Sequence, residues 1–513
     1  MSAKLKQAVE SITHAGYQLE AEAFELLQIL QNEQSFNSII SESLRQAEEQ
    51  QPKAVVITRE IVEKALARVV RAKEVSVAAS TKRAVTPLAK DVSSELAIFR
   101  DTEDFSSGTI DDFNKHFKDR FVKLSNILHE RLDFREARPI AYALEAKQGE
   151  KVKMTAIVIG KRERSNQLSL EIEDFESAAT VMVFPQRNRD IYETARKILL
   201  DQVVGIEAVR GRGDLFIAER IVMPDVPEKR AAGTEWPINA VLLSDIHAGS
   251  RTFCADAFER LIMWLNGKIG NARQTDAAFR TKYVLIAGDL VDGVGVYPHQ
   301  EGDLVITDVY EQYRLVARYI EQIPDYIEVV VIPGNHDAVR QALPQPPIPR
   351  EFAEPVYEAR RIVSLGNPSE IGLHGIHFLL YHGRSLDDVI ARVPNLSMRA
   401  PEKAMEYLLR CRHLAPEYGG RTSLAPESKD RLIISKPPDV FQAGHIHIAK
   451  SSVYRGIVVV NCGSWQNQTE YQRRMGVEPT PGLMPLLNLQ TMELSMVDFI
   501  SNVSTFSQKQ GTS

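Results

Sequence analysis

Val241-Leu242-Leu243-Ser244-Asp245-Ile246-His247 joins an apolar run to a carboxylate and an imidazole two positions apart. Runs that are apolar at nearly every position are expected of strands buried on both faces of an α/β sandwich. The pattern recurs four times downstream. Tyr283-Val284-Leu285-Ile286-Ala287 leads into Gly288-Asp289-Leu290-Val291-Asp292, and Glu328-Val329-Val330-Val331-Ile332 leads towards Gly334-Asn335-His336-Asp337. Phe378-Leu379-Leu380-Tyr381 ends in His382-Gly383, and Val440-Phe441-Gln442-Ala443 in Gly444-His445-Ile446-His447. Open α/β sheets hold their sites at the carboxyl ends of strands, which is where each polar cluster falls.

Residues two apart on an extended segment project to the same side. Asp245 with His247, and His445 with His447, can therefore each offer two ligands to one pocket. Mixed carboxylate and imidazole donors suit Mn, Fe or Zn better than Mg or Ca, which favour oxygen shells. Two such ions about 3.5–4 Å apart can share a bridging carboxylate and activate water for in-line attack on phosphorus. Gly288, Gly334 and Gly444 permit the sharp turns that bring backbone close to metal. A lone Asp-x-His is ordinarily a capped loop; five such clusters in one order, each after a buried strand, leave a purely structural explanation little room.

The remaining histidines carry weaker signals. His14, His116, His129 and His413 have no companions and read as surface residues, while His374 and His377 flank a strand start and read as structural. His299 sits in a distinctive loop and is a candidate for substrate contact.

At 513 residues the chain is too long for a single core, and about three domains are expected. No apolar run approaches the roughly 20 residues that cross a bilayer. The first residues lack a signal-peptide apolar stretch, so a cytoplasmic protein without membrane contact is expected. Three widely spaced cysteines, Cys254, Cys411 and Cys462, argue against a disulfide framework and read as small core residues. The net charge of −6 does not announce a nucleic-acid binder, so any DNA must be held by local basic patches or a partner.

Residues 1–70 read as a small all-α domain, since Leu19, Ala23, Leu26, Leu27 and Leu30, then Ile61, Val62, Ala65, Leu66 and Val69, recur at helical spacing. Residues 71–100 lack a period and read as a flexible linker. A helix-plus-barrel domain follows over 101–232. Its helix carries the stripe Phe113, Phe117, Phe121, Leu124 and Leu128. Five short strands then follow, with a helix near Ile191–Leu200 between the third and fourth, which matches an OB-type β-barrel. Lys151, Lys153, Lys161, Arg162 and Arg164 on its first hairpin read either as a solvated edge or as a DNA contact. The α/β domain spans 233–500, and 501–513 reads as a disordered tail.

On these motifs the chain resembles the calcineurin-like metallophosphoesterases, a family with a four-layer α/β sandwich and a dinuclear site. The resemblance implies that Asp245, His247 and His447 hold a first metal, that Asn335, His382 and His445 hold a second, and that Asp289 bridges them. His336 would then be the catalytic acid beside the ligands. Helical head, linker, OB barrel and phosphoesterase in this order resemble the small subunits of archaeal family D DNA polymerases. That likeness is carried by Gly295-Val296-Tyr297-Pro298-His299-Gln300-Glu301, by Gly334-Asn335-His336-Asp337-Ala338-Val339-Arg340-Gln341, and by Asn461-Cys462-Gly463-Ser464-Trp465-Gln466. Arg340 joins His299 as a candidate substrate contact. The family implies a 3′→5′ exonuclease acting on DNA at the primer 3′ end. It implies two divalent ions, Mn first with Mg, Fe or Zn as alternatives, and a heterodimer with the large catalytic polymerase subunit. The alternatives are a catalytically silent scaffold subunit and a stand-alone metallophosphodiesterase.

Overall fold

The computed structural model describes residues 3–30, 36–49, 55–68, 86–100, 108–230 and 232–501. The chain divides into two compact units, Met1–Thr86 and Pro87–Ser513. In the first, helices Ala3–His14, Ala21–Leu30, Phe36–Glu49 and 59–68 enclose Leu5, Ile12, Leu27, Phe36, Ile39, Val62 and Ala65. The periodic positions Ala23, Leu27, Ile61, Val62 and Ala65 are buried, as their spacing predicts. Val69 and most of the expected linker lie outside the described residues. The unit also holds a two-residue parallel ladder, Gln18–Leu19 against Val56–Ile57, so it is not wholly helical.

In the second unit two six-stranded sheets face each other. The first runs Val363–Ser364, Glu328–Ile332, Thr281–Ala287, Asn239–Leu243, Leu483–Asn488, Leu494–Asp498, and its first four strands are parallel. The second runs Lys450–Tyr454, Ile457–Asn461, Val440–Ala443, Ile376–Leu380, Ser369–Leu373, Leu96–Arg100. Alternate residues face opposite ways along each strand. Ala240, Leu242, Leu285, Val330, Phe378, Leu380, Val440 and Val460 therefore meet in one core between the sheets. Val241, Leu243, Ile286 and Val331 turn outward against helices Ala255–Leu265, Val309–Ile320 and Arg350–Ala359. On the far side Leu379, Phe441 and Val459 pack with helix Pro401–Cys411. This double burial is why the strands read as unbroken apolar runs.

The last strand of the second sheet corrects the linker expected over 71–100. Residues 88–91 are helical, and Leu96–Arg100 pairs antiparallel with Ser369–Leu373, setting Ile98 opposite Ile371 and Ala97 opposite Gly372. A five-residue edge strand half open to solvent has no long apolar period to betray it.

Between helix Ile110–His129 and the sandwich lies a closed barrel of Lys151–Arg164, Gln167–Glu173, Ala178–Val183, Leu215–Val222 and Val203–Arg210. Helix Arg189–Lys197 sits between its third and fourth strands in sequence, with Asn188 as cap. Leu168, Leu170 and Ile172 fill the interior and alternate with Ser169 and Glu171. Barrel and sandwich share one continuous apolar core, and the buried Gln202 amide donates to Tyr407 Oη at 2.8 Å across it. The basic residues of the first hairpin are largely engaged. Lys161 Nζ donates to the carbonyls of Arg196 and Ile198, Lys151 pairs with Glu219, and Arg162 with Glu171.

His116 and His413, expected at the surface, are buried. Asp430 draws them in: its carboxylate takes Arg120 Nε at 2.6 Å, lies 2.8 Å from His413 Nε2 and 3.3 Å from His116 Nε2. Burial raises the Asp430 carboxyl, but His413 and Arg120 hold it well below its ordinary range. Burial in turn pushes His413 down to about 4. This cluster pins helix Ile110–His129 to the segment before the second sheet. Arg120→Met, which strands a buried carboxylate, is expected to lower stability by about 3–5 kcal/mol. Urea denaturation at neutral pH would measure it, and a loss under about 1 kcal/mol would show that the cluster does not anchor the helix.

Candidate metal centre

The five polar clusters converge at the carboxyl ends of the parallel strands. Asp245 and His247 follow Asn239–Leu243, Asp289 follows Thr281–Ala287, and Asn335 and His336 follow Glu328–Ile332, all in the first sheet. His382 follows Ile376–Leu380, and His445 and His447 follow Val440–Ala443, in the second. Asp245, His247 and His447 offer one ligand atom each within 4.8 Å of one another, and so do Asp289, His382 and His445. Asn335 joins the second set, its Oδ1 3.0 Å from His382 Nε2.

The backbone here is strained. Asp245, His247, Asp289, His445 and His447 all have positive φ, between +52° and +70°. Side chains other than glycine and asparagine rarely adopt this region, and such strain concentrates at functional sites. Close approach also explains two glycines: a Cβ on Gly334 would lie 2.1 Å from Asp289 Oδ1, and one on Gly444 2.5 Å from Asp245 Oδ2.

The outward nitrogens of the rings are spoken for. His382 Nδ1–H donates to the Ala287 carbonyl at 2.9 Å and His336 Nδ1–H to the Asp292 carbonyl at 2.7 Å. His247 Nδ1 lies 3.0 Å from the Asp292 carboxylate, and His447 Nδ1 2.9 Å from the Gln472 amide. Each is thereby left with Nε2 as its uncommitted nitrogen. His247 Nε2 and His447 Nε2 stand 3.1 Å apart. His445 Nε2 is 3.2 Å from Asp387, which also holds Arg384 at 2.9 Å.

The electrostatics are those of buried anions seeking cations. Burial raises both Asp245 and Asp289, but His447 pulls the first down and His382 with His336 pulls the second well below its ordinary value. Burial disfavours charge on His382, yet Asp289 and Asp245 hold it up at about 9. Burial and Asp289 together lift Asp337 to about 7. Asp337 accepts N–H from Gly334 at 2.9 Å and Leu290 at 3.2 Å, tying two ligand loops together. A donor set of two buried carboxylates, an amide oxygen and clustered imidazoles fits divalent cations, which neutralise the carboxylates and take the ring lone pairs.

Several residues that hold this arrangement were not singled out by sequence. Asp292 was quoted within its motif without a role, yet it receives His247, the Gln466 amide at 3.1 Å and the Gln300 amide at 3.1 Å. Asp387 and Gln472 lie on helices that carry no motif. The two candidate substrate residues diverge. Arg340 gives its guanidinium to the Pro344 carbonyl and to buried Glu427, an intramolecular pairing that accounts for it without substrate. His299 is exposed, capping the short turn Gln300–Asp303 with φ +66°.

Residues 240–450 match the B-subunit family of DNA polymerases alpha and epsilon, which defines the class of the domain holding this centre. The chain is 40% identical over 408 residues to the DNA polymerase II small subunit of Methanocaldococcus jannaschii, covering 78% of this chain and 68% of that one. It is 38% identical over 412 residues to that of Methanothermobacter thermautotrophicus, covering 80% and 84%. With the Pyrococcus horikoshii small subunit it shares 39% over 386 residues, 75% of this chain but only 62% of that relative's length. The chain belongs to the DNA polymerase II small-subunit family.

One titration follows from the geometry. A histidine whose folded pKa is raised stabilises the fold fully below its unfolded value and loses that contribution as pH rises through the folded one. Chelator-treated protein is therefore expected to lose on the order of 3 kcal/mol between pH 6.5 and about 9 as His382 deprotonates. His382→Gln should lack that component. A wild-type denaturation midpoint that stays flat across this window contradicts the His382–Asp289 pairing.

Proposed function

We propose that this chain is the small subunit of a heterodimeric archaeal replicative DNA polymerase and carries a 3′→5′ exonuclease in a calcineurin-like sandwich, with an OB-type barrel beside it. The carrying observation is the pair of three-residue donor clusters, Asp245/His247/His447 and Asp289/His382/His445, on strained turns. Asp245, His247 and His447 would hold one divalent ion and Asn335, His382 and His445 another, with Asp289 between them. Bound there, such ions supply Lewis acidity and lower the pKa of water for attack on phosphorus.

The chain's own residues do the rest. Hydrolysis forms a bond from water oxygen to phosphorus and breaks the bond to the 3′-oxygen of the preceding nucleotide, releasing a nucleoside 5′-monophosphate. The leaving oxygen needs a proton. His336 can deliver it from Nε2, because its Nδ1–H is fixed on the Asp292 carbonyl. A positioned imidazole of this kind contributes roughly 10²–10⁴ in rate. Asp292 keeps the His247 ring oriented, and Arg340, through Glu427, steadies the loop that carries His336. His299 stands exposed in the neighbouring loop as a substrate contact. The large catalytic subunit is the partner and supplies synthesis, and Mn²⁺ suits the donors best.

Purified protein with Mn²⁺ and a labelled primer bearing a 3′ mismatch should lose nucleotides stepwise, and His336→Ala should slow this by about 10²–10⁴. Metal binding without any cleavage, with the large subunit also present, would establish a silent scaffold instead. Cleavage of small phosphodiesters but not DNA would establish a stand-alone phosphodiesterase. Removing the outer carboxylate in Asp292→Ala is expected to weaken Mn²⁺ binding roughly 10- to 100-fold. Calorimetric titration would read this, and an unchanged affinity would remove Asp292 from the centre.

A further inference from the structure

The loop after Asp292 wraps His336 and leaves an aromatic ring open beside it. The Tyr297 and His336 ring centroids are 6.4 Å apart at 66°. Tyr297 remains 39% exposed and Val294, in the same loop, 44%. This is not a loose loop. The buried Gln300 amide donates to the Asp292 carbonyl at 2.8 Å, and its Oε1 accepts the Val296 N–H at 2.8 Å. Gln312 Oε1 accepts the Gly293 N–H at 2.8 Å, and Arg251 Nε donates to the Gly302 carbonyl at 2.8 Å. The Tyr297 hydroxyl itself donates to Asp303 at 3.0 Å, which fixes the ring by its far end. A firmly braced loop thus presents a fixed, half-solvated aromatic surface next to the histidine assigned to the leaving oxygen.

Resting on the proposed nuclease, we propose that Tyr297 is a stacking platform for an unpaired base flanking the scissile phosphate, which makes frayed, mispaired or single-stranded 3′ ends the preferred substrate. Stacking of a base on an aromatic ring is tolerant of sequence, since every base has a π-face. A base inside a duplex is already stacked and paired and must be extruded first, and this costs least at a mismatch. The platform therefore separates mispaired from paired ends without reading base identity.

The test uses the full chain with Mn²⁺ and three single-stranded oligonucleotides: one complete, one abasic at the 3′-terminal position, one abasic at the position before it. Wild type should favour the complete strand over at least one abasic strand by roughly ten-fold or more in kcat/KM. Tyr297→Ala should bring that ratio close to one, and Tyr297→Phe should keep it. Tyr297→Leu serves as a second variant without the ring should the alanine form lose its melting transition. An equal ratio in wild type and the ring-less variants, or no preference in wild type, overturns the platform while leaving the nuclease intact. Failure of wild type to cut any of the three strands removes the proposed function, and the platform with it.

Discussion

Two carboxylates, Asp245 and Asp289, sit almost wholly out of water at the ends of neighbouring parallel strands. An isolated anion in that setting is prohibitive unless it is paired and hydrogen-bonded. The surrounding chemistry answers this demand. Asp245 takes the Ser244 hydroxyl and the His445 N–H, and Asp289 takes the His336 N–H at 2.8 Å and lies 3.3 Å from His382 Nε2. Without a cation, protonated His382 is the counter-charge the pocket can find. The same geometry therefore accepts either a proton or a metal, and the two compete for the same nitrogen.

The cost of this arrangement is spread over the backbone. Left-handed turns at five donor residues hold the side chains inward, and the loops bearing them are knitted to one another by main-chain bonds. Asp245 N donates to Gly288 O at 2.9 Å, Gly444 N to His382 O at 2.7 Å, and Trp465 N to Asp245 O at 2.9 Å. Asp292, Asp387 and Gln472 then fix ring orientation from behind. Such outer partners count nearly as much as the ligands themselves in a metal centre.

What the sequence made legible was governed by periodicity and by local motif. Strands buried on both faces announce themselves, and five motifs at their ends were enough to anticipate which side chains would meet. The barrel was equally readable, because Leu168, Leu170 and Ile172 alternate with polar neighbours. Three things were hidden. The strand Leu96–Arg100 is short, lies at an edge and borrows its place from Ser369–Leu373, so no local pattern marks it. His116 and His413 looked solitary because their partner, Asp430, is 314 and 17 positions away. Asp387 sits on a helix whose polarity looks like an ordinary solvated face. Each miss involves a partner that only tertiary packing supplies.

The strand bearing the first donor has one of its two sheet neighbours near the far end of the chain. Asn239–Leu243 is flanked by Thr281–Ala287 on one side and by Leu483–Asn488 on the other, and the His247–His447 contact spans 200 residues. Bringing such distant segments together costs loop-closure entropy before any contact repays it. During synthesis the pocket therefore stays unfinished until nearly the whole sandwich has left the ribosome. A nascent chain with Asp245 and Asp289 already exposed lacks the imidazoles from 382 onward, and so offers a poor trap for stray ions until the fold is ready to use them.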